Sequence, residues 1–284
     1  MPLVRTIAAV HRGPRLFAWR VAAEGLPRGG RAIVIVHGAG EHSQRYLPAA
    51  KRLAREGWEV VGFDLRGHGC SDGPPVHVRS FADYTDDLAR VACHFQLRPE
   101  RTGVLAHSLG GLVAITAAQR GAFVPGAMAL SAPLLRLAAD VPALKLLTGR
   151  LVKRAWPTTR FTTSVRPEHL LNDGPSREAR LADPLISRTL TAGWFFSVMG
   201  ASRRIWRAGS VPPTLLMQGT ADRVVDPAAA VEWAAERGPS CTLQTMPGAA
   251  HELLHEPDGC QLAVEAGRWM AEQMPASVPL RRAA

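Results

Sequence analysis

The stretch Leu105-Ala106-His107-Ser108-Leu109-Gly110-Gly111 (LAHSLGG) decides the fold. Ahead of it, Thr102–Ser108 (TGVLAHS) reads as a buried strand, and behind it LGGLVAITAAQR reads as a helix. A serine at a strand-to-helix junction, with small residues on both sides, has the form of a nucleophile elbow. The serine must take a strained turn to project its hydroxyl, and neighbours two residues away must be small to clear the strand and helix. Gly110 meets that condition, and Ala106 departs from the usual glycine by one methyl. The competing reading is a serine that merely caps the helix that follows it.

Working outward, Ala32–Gly38 (AIVIVHG) is a continuous apolar, β-branched run ending in glycine, as expected of a strand covered on both faces in a parallel sheet. Trp58–Asp64, Gly126–Pro133, Thr214–Gly219 and Cys241–Met246 read as further strands, and residues 45–56 and Gly259–Met274 as helices. Ser80 and Asp83 resemble a capping box ahead of a helix, and Asp226-Pro227 starts another, with aspartate at the N-cap and proline at N1. Gly13-Pro14 separates two short runs, Leu3–Val10 and Leu16–Ala22, as in a β-hairpin. Strands alternating with helices imply an α/β fold with a mostly parallel central sheet and helices on both faces. The rhythm breaks between Leu134 and Ser210, where helical pieces, prolines and loop-like Thr/Ser stretches suggest an insertion seated on the sheet. The expected organisation is a core over 1–133 and 211–284, interrupted by a helical insertion over 134–210, with a frayed end at SVPLRRAA.

The 284 residues are 46% hydrophobic and 20% charged, which suits a globular chain with a sizeable core. The net charge is +10, carried almost wholly by arginine; the lysines are Lys51, Lys145 and Lys153. A GC-rich genome would give that bias with no functional meaning; the other reading is attraction to acidic partners. No nucleic-acid recognition motif or aromatic-basic platform accompanies the charge, so nucleic acid is not an expected partner. Cys70, Cys93, Cys241 and Cys260 are scattered, form no C-x-x-C, and fit free thiols in a reducing compartment. The N-terminus lacks the apolar run of a signal peptide, and no stretch approaches the about 18 apolar residues of a membrane span. A soluble cytoplasmic protein is expected.

A serine hydroxyl needs a base, and the base needs an orienting acid. On sheets with such an elbow the chain order is serine, acid, histidine. Asp222 and Asp226 both follow the strand TLLMQG. Asp226 is occupied in capping the helix at Pro227, so Asp222 is the expected acid. His251, in the loop after the last strand, is the expected base. His251-Glu252-Leu253-Leu254-His255 also matches H-E-x-x-H, the zinc-protease signature. Pro247-Gly248 and Pro257 leave too little room for a continuous metal-binding helix, so His255 reads as a surface or packing residue and no metal is expected. Oxyanion stabilisation calls for backbone N–H groups. Leu109, directly after the serine, offers one, and Ala39, in the glycine-rich turn His37–His42, offers the other. His37 reads as a residue holding that turn, and Glu41 and His42 either brace it or are solvated. Asp64–Pro75 (DLRGHGCSDGPP) is no dinucleotide loop, because G-x-G-x-x-G would require glycine where Asp72 stands; it reads as a shaped loop held by Asp and Arg contacts.

Six segments together resemble the monoacylglycerol lipase and lysophospholipase branch of the α/β-hydrolase superfamily: VHGAGEHSQRY (36–46), DLRGHGCSDGP (64–74), AHSLGG (106–111), ADPL (182–185), LMQGTADRVVDP (216–227) and PGAAHELLHE (247–256). The resemblance spans about three-quarters of the chain, with Ala106 and Leu109 departing from the usual glycine and methionine. It implies Ser108 as nucleophile, Asp222 as acid, His251 as base and the amides of Ala39 and Leu109 as oxyanion hole, in agreement with the residue-by-residue reading. It further implies a serine ester hydrolase acting on a lipid-like ester, a monoacylglycerol or lysophospholipid, with no cofactor, and a helical cap at the position of the insertion, 134–210. Its rivals are an acyltransferase using the same triad and a non-catalytic binding protein on the same fold. Within the insertion, Pro133–Trp156 mixes apolar residues with a basic face, and from Arg136 to Arg166 lie Lys145, Arg150, Lys153, Arg154 and Arg160 as well, against the single acid Asp140. That pattern fits peripheral contact with acidic membrane lipid, or a helix packed on the core with solvated arginines outside. Gly193–Phe196 (GWFF) either lines an acyl pocket or fills the interior of the insertion.

Overall fold

A computed structural model describes residues 3–8, 13–24, 30–139, 142–207 and 209–274. Its strands are β1 Leu3–Ala8, β2 Leu16–Val21, β3 Ala32–Val36, β4 Glu59–Phe63, β5 Thr102–His107, β6 Ala127–Ser131, β7 Arg160–Thr162, β8 Thr189–Thr191, β9 Thr214–Gly219 and β10 Cys241–Met246. Its helices are α1 Leu47–Arg55, α2 Ala82–His94, α3 Leu109–Gln119, α4 Ala143–Ala155, α5 Gly174–Ala182, α6 Ala192–Arg204, α7 Pro227–Arg237 and α8 Gly259–Gln273.

Eight strands form one sheet in the order β1-β2-β4-β3-β5-β6-β9-β10. From β4 to β10 every neighbouring pair is parallel, while β2 pairs antiparallel with both β1 and β4. The opening hairpin and the parallel sheet are thus as expected. The strands β3, β5, β6 and β9 are buried at every position because both faces of the sheet are covered, and β3 is apolar throughout. Val34 and Val36 join the core on the side of α2, α3 and α7, whereas Ile33 and Ile35 join the core on the side of α1 and α8. Trp58 is buried among the second group and Trp233 among the first, each fully removed from solvent and worth on the order of 2–3 kcal/mol of apolar burial. Helix α3, between the sheet and α2, buries nine of its residues and is apolar around its whole circumference.

Between β6 and β9 the chain leaves this sheet and builds α4, α5, α6 and a separate two-stranded ribbon of β7 and β8. The ribbon corrects the reading of this stretch as helical pieces and loops: three residues per strand are too few to show a period of two. Residues Asp140 and Val141 and the tail after Met274 lie outside the described residues, so the lone acid and the frayed end are not placed. None of the helices among the described residues is long and apolar enough to cross a membrane.

Candidate active site

All the parallel strands point the same way, so the segments leaving β3, β5, β9 and β10 emerge along one edge of the sheet. Those segments carry Ala39, Ser108, Asp222 and His251 respectively. Topology alone therefore brings Ser108 and His251 together across 143 positions of the chain.

Ser108 has φ 51° and ψ −113°, in the left-handed region that an L-residue enters at a cost of about 1–3 kcal/mol. The turn is held from both ends. Its N–H donates to the carbonyl of Ser131 at 3.0 Å, and its own carbonyl accepts from Leu112 at 3.2 Å and Leu134 at 3.0 Å. The close approach needs glycine at 110, where a Cβ would overlap the carbonyl oxygen of Val36 and stand 2.7 Å from that of His37.

The Ser108 hydroxyl lies 3.0 Å from Nε2 of His251, whose Nδ1 lies 2.7 Å from Oδ2 of Asp222. A carboxylate can only accept, so Nδ1 carries the hydrogen and Nε2 is left to accept from the serine. Asp222 is fixed by further donors: Val224 N–H at 2.8 Å and Val225 N–H at 3.0 Å to Oδ1, and Gln218 Nε2 at 3.1 Å to Oδ2. Burial pushes the Asp222 carboxyl up, but His251 and the two backbone N–H groups outweigh it and hold the group below its ordinary value. All three side chains are buried. The other candidate acid, Asp226, accepts from Ala228 N–H at 2.9 Å as the N-cap of α7 and pairs with Arg136 at 2.7 Å.

Leu109 opens α3, so its N–H has no acceptor within the helix. The turn bearing Ala39 adjoins the serine: a Cβ on Gly38 would stand 3.3 Å from that of Ser108. His37 holds this turn, its Nδ1 2.8 Å from the Gly38 carbonyl and its Nε2 accepting from Leu65 N–H at 2.9 Å. Glu41 and His42 are buried and brace it: Glu41 accepts from Gly38 N–H at 2.6 Å and Tyr46 Oη at 2.7 Å, and His42 pairs with Asp183 at 2.8 Å. In the loop 64–75, Asp64 accepts from Ser43 and Cys70, and Arg66 grips Asp87.

The H-E-x-x-H segment contains only the three-residue 3₁₀ turn Leu253–His255. Its two histidines diverge: His251 joins Asp222 and Ser108, while His255 lies 3.3 Å from Glu41 and edge-on to Tyr46. One neighbour has no signal in the sequence beyond its place before Ser108. The His107 ring centroid is 4.7 Å from that of His251, and its Nδ1 donates to the Ser131 carbonyl at 3.0 Å. Burial drives its pKa down to about 4, so it sets no competing charge beside the histidine at neutral pH.

Residues 28–258 match the family described as Serine aminopeptidase, S33. The chain is 28% identical over 264 residues to a monoacylglycerol lipase of Mycolicibacterium smegmatis, covering 87% of this chain and 90% of that one. It is 32% identical over 257 residues to the monoglyceride lipase of Rattus norvegicus, covering 86% and 82%. The fold superposes on the monoacylglycerol lipase of Paleococcus ferrophilus with a TM-score of 0.81 at 24% identity, over 96% of this chain and 100% of the other. This chain therefore belongs to the Serine aminopeptidase S33 family and is an α/β-hydrolase of the lipase and esterase type, within the monoacylglycerol lipase-like branch.

Proposed function

We propose that the chain hydrolyses a monoacylglycerol or lysophospholipid through Ser108, His251 and Asp222. His251, oriented by Asp222, takes the hydroxyl proton as Ser108 attacks the ester carbonyl. The N–H groups of Ala39 and Leu109 receive the oxyanion, a contribution of about 3–4 kcal/mol per donor in comparable sites. His251 then gives the proton to the departing alcohol. Water repeats the sequence on the acyl-enzyme and frees the fatty acid. These groups suffice for the reaction with no cofactor. The observation that carries the reading is the unbroken chain of two hydrogen bonds, at 3.0 Å and 2.7 Å, linking hydroxyl, imidazole and carboxylate.

The substrate class follows from the names of the relatives together with the inserted segment, which we read as a cap over the site. No residue of α4 is buried, and Leu144, Leu147 and Leu151 are 71%, 56% and 64% exposed along one face. Lys145, Arg150, Lys153 and Arg154 share the helix. An apolar stripe flanked by cations suits the surface of an acidic membrane, where the ester substrates reside. Arg136 does not belong to that face, being paired with Asp226 and Glu232. Trp194 is buried in the core beside α2 and α3 and donates to the Tyr84 hydroxyl of α2 at 3.0 Å, so GWFF seats the insertion on the core. The thiol of Cys93 is exposed and free, which supports a reducing, cytoplasmic setting. A panel of monoacylglycerols, lysophospholipids and p-nitrophenyl esters of graded length tests the substrate reading. Turnover rising with acyl length on glycerol esters supports it, and turnover confined to short acetyl esters contradicts it.

A further inference from the structure

Glu252 follows His251 in the chain and is almost wholly buried. A carboxylate in such a place is costly unless every lone pair is engaged. One oxygen of Glu252 accepts from Arg45 at 2.7 Å, and the other accepts from Nε of Arg180 at 2.8 Å. Arg45 stands at the start of the core, ahead of α1, whereas Arg180 stands on α5 in the inserted segment. The Glu252 N–H also donates to the carbonyl of Leu170, again in the insertion, at 2.8 Å. Arg45 continues the chain to Glu41, and Glu41 in turn accepts from Gly38 N–H at 2.6 Å. Two carboxylates and two guanidiniums thus alternate from α5, through the loop of His251, to the turn bearing Ala39. Burial pushes the Glu252 carboxyl up, yet Arg45 and Arg180 overcome it and keep the group ionised.

We propose that Glu252 is a positioning residue, locking the His251 loop at once to the inserted segment through Arg180 and to the Ala39 turn through Arg45. The proposal rests on the reading of His251 as the base. It divides the insertion in two. The part around α5 is a fixed wall of the site, because Asn172 and Asp173 N–H also bind Glu256, and Asp183 binds His42. Among the described residues the part around α4 makes no such ion pair, its Gly149 and Lys153 lying against Phe196 of α6. Arg180 reaches Glu252 by Nε alone, a single contact that a lysine ammonium reproduces and a methionine does not.

The test compares the full-length protein with Arg180→Met, Arg180→Lys, Glu252→Gln and the Arg180→Met/Glu252→Gln double variant, each verified as folded by near-ultraviolet circular dichroism. The readouts are kcat and KM on p-nitrophenyl butyrate and the rate of labelling by a fluorophosphonate. Misplacing the base lowers kcat and labelling by about 10- to 100-fold in Arg180→Met and Glu252→Gln, with KM little changed. Arg180→Lys recovers most of the rate, and the double variant is no worse than the poorer single one, because both remove the same link. Wild-type kcat in folded Arg180→Met, or equal losses in Arg180→Lys and Arg180→Met, overturns the proposal. If Arg180→Met does not fold, Arg180→Gln takes its place with the same expectations. Ser108→Ala run alongside separates the two levels: labelling in that variant sinks the triad itself, whereas its absence beside an unaffected Arg180→Met sinks only the lock.

Discussion

Gly110 lies so close to Val36 that no side chain fits between α3 and β3: a Cβ on the glycine would overlap the carbonyl oxygen of the valine. The obstacle is backbone of a central strand, which cannot swing aside as a side chain can. Gly110→Ala therefore costs more than about 3 kcal/mol, beyond ordinary overpacking, and displaces Ser108. Ala106→Gly removes only a buried methyl from β5 and costs about 1 kcal/mol. Thermal melts with ester turnover check both: a large fall in melting temperature for the first, and a folded, active enzyme for the second. A Gly110→Ala protein melting like the wild type would contradict the close approach.

Asp222→Asn keeps the size of the side chain but lets its amide face Nδ1 of His251 and reverse the tautomer. Loss of about 10³- to 10⁴-fold in kcat is expected, with little change in KM. Asp226→Asn, by contrast, alters a helix cap and the pairing with Arg136, and leaves kcat near the wild-type value. Steady-state kinetics on one soluble ester distinguish them, and equal losses in the two variants would reverse the assignment of the acid.

Acid should destabilise the fold well above the carboxylate range. Burial lowers His107 to about 4 and His68 to about 3, against about 6.5 in an unfolded chain. Their folded values are depressed, so the stability they carry is complete above the unfolded value and is lost as pH falls through the folded one. Between those limits each histidine withdraws about 1.4 kcal/mol per pH unit, because the unfolded chain takes the proton first. Asp222 and Glu252, also depressed, add their losses below about 4.5. Melting temperature measured at constant ionic strength should fall steadily from about pH 6.5 downward; a flat profile until the carboxylates titrate would contradict the buried neutral histidines.

The exposed face of α4 predicts a separation of chemistry from surface binding. Leu147→Glu with Leu151→Glu should abolish flotation with vesicles containing phosphatidylserine, and slow hydrolysis of long-chain monoacylglycerol presented in them. Turnover of soluble p-nitrophenyl butyrate should stay unchanged, because these side chains are solvent-facing. Undiminished vesicle binding by the double variant would remove α4 as the contact.

The parts legible in the sequence are those with strong local signals. Apolar runs such as Thr214–Gly219 and Cys241–Met246 read as strands with the observed bounds, because edges marked by glycine and proline leave little freedom. Pro227 separates Asp222 from Asp226, since a proline at N1 identifies the residue before it as a cap. What escaped was non-local or brief. The β7–β8 ribbon is too short to display a period. The pairing of Glu252 with Arg180 spans 72 positions, and nothing in either local sequence announces it. Arg136 reads as part of a basic face in the sequence, whereas Asp226 and Glu232 of another element lie against it, and charge counting ignores such partners.

The central claim is that the Ser108 hydroxyl is the nucleophile, and covalent trapping tests it most directly. Incubation with a fluorophosphonate, followed by digestion and mass spectrometry, should give one adduct, on the peptide containing Ser108, in step with loss of ester hydrolysis. Ser108→Ala should be folded, unlabelled and inactive. An adduct on another residue, or ester turnover by Ser108→Ala near the wild-type rate, would contradict the account.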